Sequence, residues 1–429
     1  MRDVEATRAL LRSVAPLAEG ERRTRVLEAI AWPREVEERF FAQRAARLPE
    51  VSYAVDRDAV RARIADLDAA ADRVEGDDPV AAWVRANLRS MRDADRLVLA
   101  VGTTEFHRVS RELYGSARTR FHGDAERNVD LADHLLERLD VHGWDEAQDE
   151  APEPLGAEDL AAQLRNRLLA ELPGMRVEVV VDDRCAAKVL AGMRRVRIRR
   201  DARFTPWEAD GLWHHEVETH ALTAQNGAAQ PEVPFLQAGG ARATRTQEGL
   251  AVFAELHNHC LGVERMQRLA RRVKLVDMAE QGADFLDLYR HLLELGLSPR
   301  DAYLDAQRVC RGGRVEGGAP FTKDAAYLAG LLEVHAFLSV VVRGGFRDEI
   351  ELLCCGRITL DDVLPLMELR SMGLLRRPRW IPQWLRRWRT LLPEFAFTSF
   401  LDGIALARVR DRYADLIALA EAARPPDGA

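Results

Sequence analysis

Cysteine pairs are the first thing this sequence lacks. Of 429 residues five are cysteine (Cys185, Cys260, Cys310, Cys354 and Cys355), an odd and scattered set with no C-x-x-C spacing. That excludes a disulfide framework and a thiolate zinc site, and a reducing cytoplasm is the expected setting. An excess of positive charge is also missing: 69 acidic residues against 62 basic give a net charge of -7. Nucleic-acid binding is therefore not the main business of the chain, and an anionic partner would have to use a local patch. Long apolar runs are absent too. In "MRDVEATRALLRSVAPLAEGERR" charges break every apolar run, which leaves no secretory h-region, and no segment is expected to reach the length that spans a bilayer. The longest candidate, "LLEVHAFLSVVV", reads as a buried helix. Internal repeats and low-complexity tracts are not found.

What is present is a hydrophobic content of 47% over 429 residues, enough for a substantial core and for two or three structural units. Up to about residue 150 apolar residues recur at helical spacing, as in "DAVRARIADLDAAADRV". The acidic, proline-bearing "DEAQDEAPEPLGAED" is the linker candidate. Beyond it, "VEVVVDD" (177–183) and "RRVRIRR" (194–200) are the clear strand signals, the second with Val196 and Ile198 inward and arginines outward. Helices then return, one starting at Pro206 or Trp207 with Thr205 as N-cap. The expectation is an α+β, mainly helical chain in three parts: an N-terminal helical region (1–155), a catalytic domain with a small sheet (156–395) and a C-terminal helical tail (396–429).

The chemistry concentrates in "LWHHEVETHALTAQNG", residues 212–227. On an ideal helix each residue advances about 100°, so His215 and His220, five apart, diverge by about 140°. A single i→i+5 turn, the π-bulge common at functional sites, would return both imidazoles to one face with Glu216 beside them. The competing local reading pairs Glu216 with His220, four apart, and needs no bulge. A metal site wants a third protein ligand. "ATRTQEGLAVFAELHNHCLG" reads as a helix from about Thr246 to Leu261 closed by Gly262, with Glu248 near its start and Gly249 allowing close backbone approach. Glu248 is either that ligand or a carboxylate favoured by the helix macrodipole. His257 and His259 lie two to three turns further on and cannot join Glu248 on one ion.

"HHEVETHALTAQNGAAQP", "TQEGLAVFAE" and "RVCRGG" followed by "FTKDAAYLAGL" resemble the bacterial QEGLA-motif proteins, sometimes labelled flavohemoglobin expression-modulating, whose animal relatives are the microtubule-associated tyrosine carboxypeptidases. Weaker likeness extends the resemblance over about 36–390. It implies a zincin-like catalytic domain holding one Zn2+ per chain, with His215, His220 and Glu248 as ligands and Glu216 as general base. Two positions depart from the pattern: Glu218 stands where many relatives have glycine, and Gln247 where the animal enzymes have glutamate. Both flank the ligands, so they bear on tuning more than on metal binding.

Removing a C-terminal residue demands a cationic pocket for the free carboxylate. Arg308 and Arg311, just before two glycines, offer a bidentate clamp, and Lys323, set in a helical first turn that disfavours cations, marks a local conflict of the functional kind. Tyr327, one turn on, could donate to an oxyanion or to the carboxylate. The bland reading pairs these cations with Asp324 and Glu316. The arginine strand is either a guarded sheet edge or the place where a peptide adds as a strand, with Arg195 and Arg197 favouring acidic tails. Trp380, Trp384 and Trp388, spaced by four among arginines, read as packing, and His107 as structural. The expected activity is a metallo-carboxypeptidase acting on peptide or protein C-termini, cytoplasmic, without nucleic-acid partners. Two alternatives stand beside it: a non-catalytic zinc-containing regulatory protein, and a zinc amidohydrolase of non-peptide substrates.

Overall fold

Helical periodicity becomes helix almost throughout the computed structural model, which describes residues 3–18, 24–121, 124–139, 154–183, 185 and 188–401. The N-terminal part supplies α1 (Val4–Ala18), α2 (Arg34–Ala42), α3 (Arg57–Asp72), α4 (Pro79–Leu99), α5 (Thr104–Tyr114) and α6 (Asn128–Leu139), and α7 (Ala157–Glu171) follows. In α4 the local causes are explicit. Asp78 accepts the Ala81 N–H, Pro79 fills the first turn where no donor is needed, and Val80, Trp83, Val84 and Leu88 bury one face. Most of the expected linker and the end of the expected tail, residues 140–153 and 402–429, lie outside the described residues.

Among the described residues the strands are β1 (Glu178–Asp182), β2 (Val189–Ala191) and β3 (Arg195–Arg199), in the spatial order β1-β3-β2. Val196 and Ile198 are fully buried, as their alternation requires. The expectation that "RRVRIRR" is a sheet edge is overturned: β3 is the central strand, parallel to β1 on one side and antiparallel to β2 on the other. Its backbone is already paired, so no peptide can add to it, and Arg195 and Arg197 reach their strand neighbours Glu178 (2.8 Å) and Asp182 (3.7 Å) instead. The edge beside the histidine helix is β2, a strand too short to show an alternating pattern.

That helix, α8, runs without interruption through Pro206–Leu212, a π-helical stretch Trp213–Ala221, and Leu222–Ala228. Thr205 caps it through the Glu208 N–H, and Glu208 returns the bond to Thr205, a capping box. Next come α9 (Thr244–His257), α10 (Val263–Glu280), α11 (Phe285–Glu294), α12 (Pro299–Cys310), α13 (Ala325–Arg343), α14 (Val363–Ser371) and α15 (Leu391–Leu401). The helix α9 stops earlier than its sequence indicates, and Gly262 is not its terminator but the N-cap residue of α10. Among the described helices, α9 and α13 run in close contact. It depends on two glycines: a Cβ on Gly249 would lie 2.2 Å from the Gly330 carbonyl oxygen, and one on Gly330 2.0 Å from that of Arg245.

One expectation about membranes is corrected. By length and composition Thr322–Arg343 could cross a bilayer, with a mean hydropathy of 1.8, yet 56% of that apolar window is buried inside the protein. It is a core helix. The tryptophans are packing residues, as expected, although no single helix carries them: Trp380 and Trp384 are buried, and the Trp380 indole N–H donates to the Pro173 carbonyl at 3.2 Å.

One apolar core takes in residues from Leu11 in α1 to Phe395 in α15, and a smaller one around Ile30, Leu97, Phe106, Val109, Tyr114 and Phe321 braces the turn entering α13. There His107 sits structurally, its Nδ1 2.9 Å from the Pro320 carbonyl oxygen. Beside it Glu280 has a buried Oε1 without a hydrogen bond, 3.6 Å from His107 Nε2 and 4.0 Å from Arg111 Nε. Burial, opposed by Arg111 and Arg118 and reinforced by Asp277, pushes its carboxyl up from 4.5 to about 7. A raised carboxyl favours the folded state while protonated, so this contribution is complete below about pH 4.5 and lost as pH rises through 7. Glu280→Gln is expected to raise stability by about 1–2 kcal/mol at pH 8 and to change it little at pH 4.5, as read by urea unfolding at both values.

Candidate metal centre

The π-helical stretch exists because nine consecutive residues, Trp213–Ala221, accept i→i+5 bonding. Thr219 adds to it with its own hydroxyl, which donates to the His214 carbonyl five residues back at 2.8 Å. The wider turn does what an α-helix could not. His215 and His220 now face one another with ring centroids 4.9 Å apart. Glu218, one of the departures, is buried at the back of the turn, where it binds His214 Nδ1 at 2.7 Å and accepts the Gln383 N–H at 3.0 Å. It clamps the distorted helix to the C-terminal segment. The other, Gln247, accepts a hydrogen bond from the Thr223 hydroxyl at 2.9 Å.

The third group comes from α9. Glu248 Oε2 lies 3.6 Å from His215 Nε2 and 3.4 Å from His220 Nε2. Ligand atoms about 2.0–2.1 Å from a tetrahedral ion stand about 3.3 Å apart, so these separations are those of a coordination shell. The same Oε2 is fully buried and makes no hydrogen bond, an orphan that a cation would satisfy. His215, His220 and Glu248 together can hold a metal ion. Their surroundings favour positive charge there. Burial opposes protonation of His215, but Glu248 and Glu255 outweigh it and push its pKa up to about 10. Burial likewise works against ionised Glu248, yet Lys323 and the two histidines hold its carboxyl well below the usual range.

Around this trio, Glu248 Oε1 and His215 Nδ1 each have an anchor. Lys323 Nζ donates to Glu248 Oε1 at 2.9 Å, which turns Oε2 toward the histidines, and stands 3.4 Å from the Tyr327 hydroxyl. The conflict of a lysine in a first helical turn is resolved by that carboxylate. Glu216 lies next to the trio, and its Oε2 accepts the Ala191 N–H of β2 at 3.0 Å, tying the acid to the sheet edge. Arg308 is gripped bidentately by Asp324 at 2.8 and 2.7 Å, and Arg311 rests over Phe321 with its guanidinium 5.7 Å from the ring centre. A substrate carboxylate would compete with anions that Arg308 and Lys323 already hold. Arg195 and Arg197 belong to the sheet rather than to this cluster.

Sequence reasoning missed Glu255. It is buried, accepts from His215 Nδ1 at 2.6 Å, and is itself held by Arg265 at 3.1 Å. That bond fixes the imidazole with Nε2 free to ligate, the usual second carboxylate behind a metal histidine. The signal was present: Glu255 follows Glu248 by two turns on the same helix. Glu255→Gln is expected to weaken metal affinity roughly 10–100-fold, measured by competition with a chromophoric chelator.

A family model described as microtubule-associated tyrosine carboxypeptidase matches residues 38–403. The chain belongs to this family. The match begins within α2 and takes in the residues of the metal cluster as well as the N-terminal helices that follow. No curated protein matches the chain.

Proposed function

We propose that this chain is a zinc-dependent carboxypeptidase that removes one residue from a peptide or protein C-terminus, the activity named by its family. The observation that carries the reading is the orphaned Glu248 Oε2, 3.4 and 3.6 Å from two histidine nitrogens, with a second carboxylate, Glu216, beside them. His215 Nε2, His220 Nε2 and Glu248 Oε2 would hold the ion in a zincin-like arrangement, and a nitrogen–oxygen donor set of this kind suits zinc. When bound, zinc supplies a Lewis acid and acidifies the water used for attack. Glu216 takes the proton of that water and delivers it to the leaving amine. Tyr327 donates its hydroxyl to the carbonyl oxygen as charge develops there. Arg311 adds a positive charge that the Arg308–Asp324 pair does not cancel, which favours acidic tails. The described residues before 156 would wall and brace the catalytic part, 156–395, with 396–429 as a separate C-terminal division; a cytoplasmic location agrees with five scattered cysteines in no disulfide-framework spacing.

The test is a peptide library incubated with the purified protein and read by mass spectrometry, alongside metal analysis. The expected result is one zinc ion per chain and loss of single C-terminal residues, abolished by chelation and restored by zinc. Stoichiometric zinc without any cleavage would leave a binding or regulatory protein, and cleavage surviving metal removal would sink the mechanism.

A further inference from the structure

Among the described residues two carboxylate oxygens are buried without a hydrogen bond. One is Glu248 Oε2 at the metal centre. The other is Glu280 Oε1, on the last residue of α10, where the helix macrodipole disfavours a negative charge. It faces His107 Nε2 at 3.6 Å, longer than a made hydrogen bond, and both side chains are nearly closed off from solvent. The other ring nitrogen of His107, Nδ1, lies 2.9 Å from the Pro320 carbonyl oxygen. A carbonyl can only accept, so Nδ1 carries a hydrogen and a neutral His107 turns a bare lone pair toward Glu280. Two acceptors then confront one another. One proton between them, on the carboxyl or on the imidazole, removes the conflict.

A metal ion does not fit as the missing partner. His107 and Glu280 are two ligand residues where a bound ion takes at least three from the protein, and Arg111 Nε already stands 4.0 Å from Glu280 Oε1. The charges that face the pair are Arg111 of α5, Arg118 from the segment after it, and Asp277 of α10, which Arg118 binds at 2.7 Å. Other charges on the neighbouring elements are engaged with one another: Arg108 with Glu105 and Glu112 on α5, Arg127 with Asp130 beside α6, Lys274 with Asp133 between α10 and α6, and Arg314 with Glu316 before α13. Asp284 caps α11. Burial and Asp277 outweigh the two arginines and push the Glu280 carboxyl up to about 7, while burial lowers His107, so the carboxyl keeps the proton.

The helix that carries His107 also places Lys323. Ser110 Oγ shares a hydrogen bond with the Thr322 hydroxyl and accepts the Thr322 N–H, both at 2.9 Å, and the Phe321 ring lies 5.7 Å from that of Phe106 and 5.5 Å from that of Tyr114. Lys323 comes next in the chain, and its 2.9 Å bond to Glu248 Oε1 turns Oε2 toward the histidines. His107 is thus joined on one side to the turn that holds Lys323 and faces the end of α10 on the other. We propose that His107 and Glu280 are a proton-dependent latch: one proton between them closes α5, α10 and the turn 319–324 on one another, and its loss above neutral pH loosens that turn and weakens the hold of Glu248 on the metal. The step releases one proton to solvent and changes no other bond order. The latch itself is independent of the carboxypeptidase reading, and its link to the metal rests on Glu248 as a ligand.

The experiment reads amide hydrogen exchange of the full chain by mass spectrometry, corrected for the intrinsic pH dependence of exchange, with zinc affinity from chelator competition beside it. A carboxyl at about 7 in the closed latch and near 4.5 in the open one gives a loss of protection over 319–324 of about tenfold between pH 6 and pH 8.5. Glu280→Gln cannot ionise, and its amide can donate to His107 Nε2, so it is expected to keep its protection over that range. Its zinc affinity is expected to equal that of the unaltered chain at pH 6 and to exceed it by about twofold or more at pH 8.5. No pH-dependent loss in the unaltered chain, or the same loss in Glu280→Gln, overturns the latch. Loss of protection with equal zinc affinities at pH 8.5 overturns its coupling to the metal. If Glu280→Gln does not fold, Arg111→Gln decides: removing the cation 4.0 Å from the carboxyl is expected to move the midpoint of the loss to higher pH, and an unmoved midpoint overturns the assignment to Glu280. A chain that binds no zinc sinks the metal reading and the coupling with it, while the exchange comparison still decides the latch.

Discussion

Replacing Glu216 with glutamine is expected to lower turnover roughly 10²–10⁴-fold while leaving one metal ion bound per chain. The amide is the same size as the carboxylate, and its oxygen can still accept the Ala191 N–H that Glu216 Oε2 accepts at 3.0 Å. Nothing in the trio of His215, His220 and Glu248 depends on the charge of residue 216 for its position. What the variant loses is a group able to take a proton from water and return it to the leaving nitrogen. Two measurements check this: mass spectrometry for release of the terminal residue and elemental analysis for zinc. Unchanged release would remove Glu216 from the chemistry. Loss of the metal along with activity would give it a structural role instead.

The two histidines were legible as a possible pair because the misfit itself was a signal, while Glu248 was singled out as their partner by the family resemblance. Histidines five apart point to different sides of an α-helix, and only a wider turn reunites them; the π-helical stretch Trp213–Ala221 is that turn. Val196 and Ile198 likewise showed their burial by alternation. What local pattern could not show was who neighbours whom. Whether β3 lies at an edge depends on β2, three residues long and separated from it by a tight turn. The reading that paired Arg308 with Asp324, 16 residues on, was open in the sequence and is the one the structure shows, whereas Glu248, which claims Lys323, stands 75 residues away and was not foreseen as its partner.

The same distinction makes Gly249 the more telling residue of "QEGLA". Sequence alone allowed its missing side chain to admit either another backbone or a bound peptide, and the neighbour is the backbone of α13: a Cβ would stand 2.2 Å from the Gly330 carbonyl oxygen and 2.8 Å from its Cα. Backbone cannot rotate aside as a flexible side chain can, so Gly249→Ala must push α9 and α13 apart. The expected cost is about 3 kcal/mol, at the upper end for overpacking. The consequence at the metal is as large. Glu248 precedes Gly249 on α9, while Lys323, which orients its carboxylate, leads into α13, so separating the helices stretches the 2.9 Å bond between them and draws Oε2 away from the histidines. Metal affinity should fall by at least the roughly 10–100-fold expected for losing a supporting partner. Gly262→Ala serves as the comparison, because nothing lies within 4 Å of the added atom, and should cost less than about 1 kcal/mol with metal affinity unchanged. Urea unfolding and chelator competition on the two variants decide it: equal, small effects would mean that the α9–α13 contact does not position Glu248, and the link between helix packing and metal binding would fail.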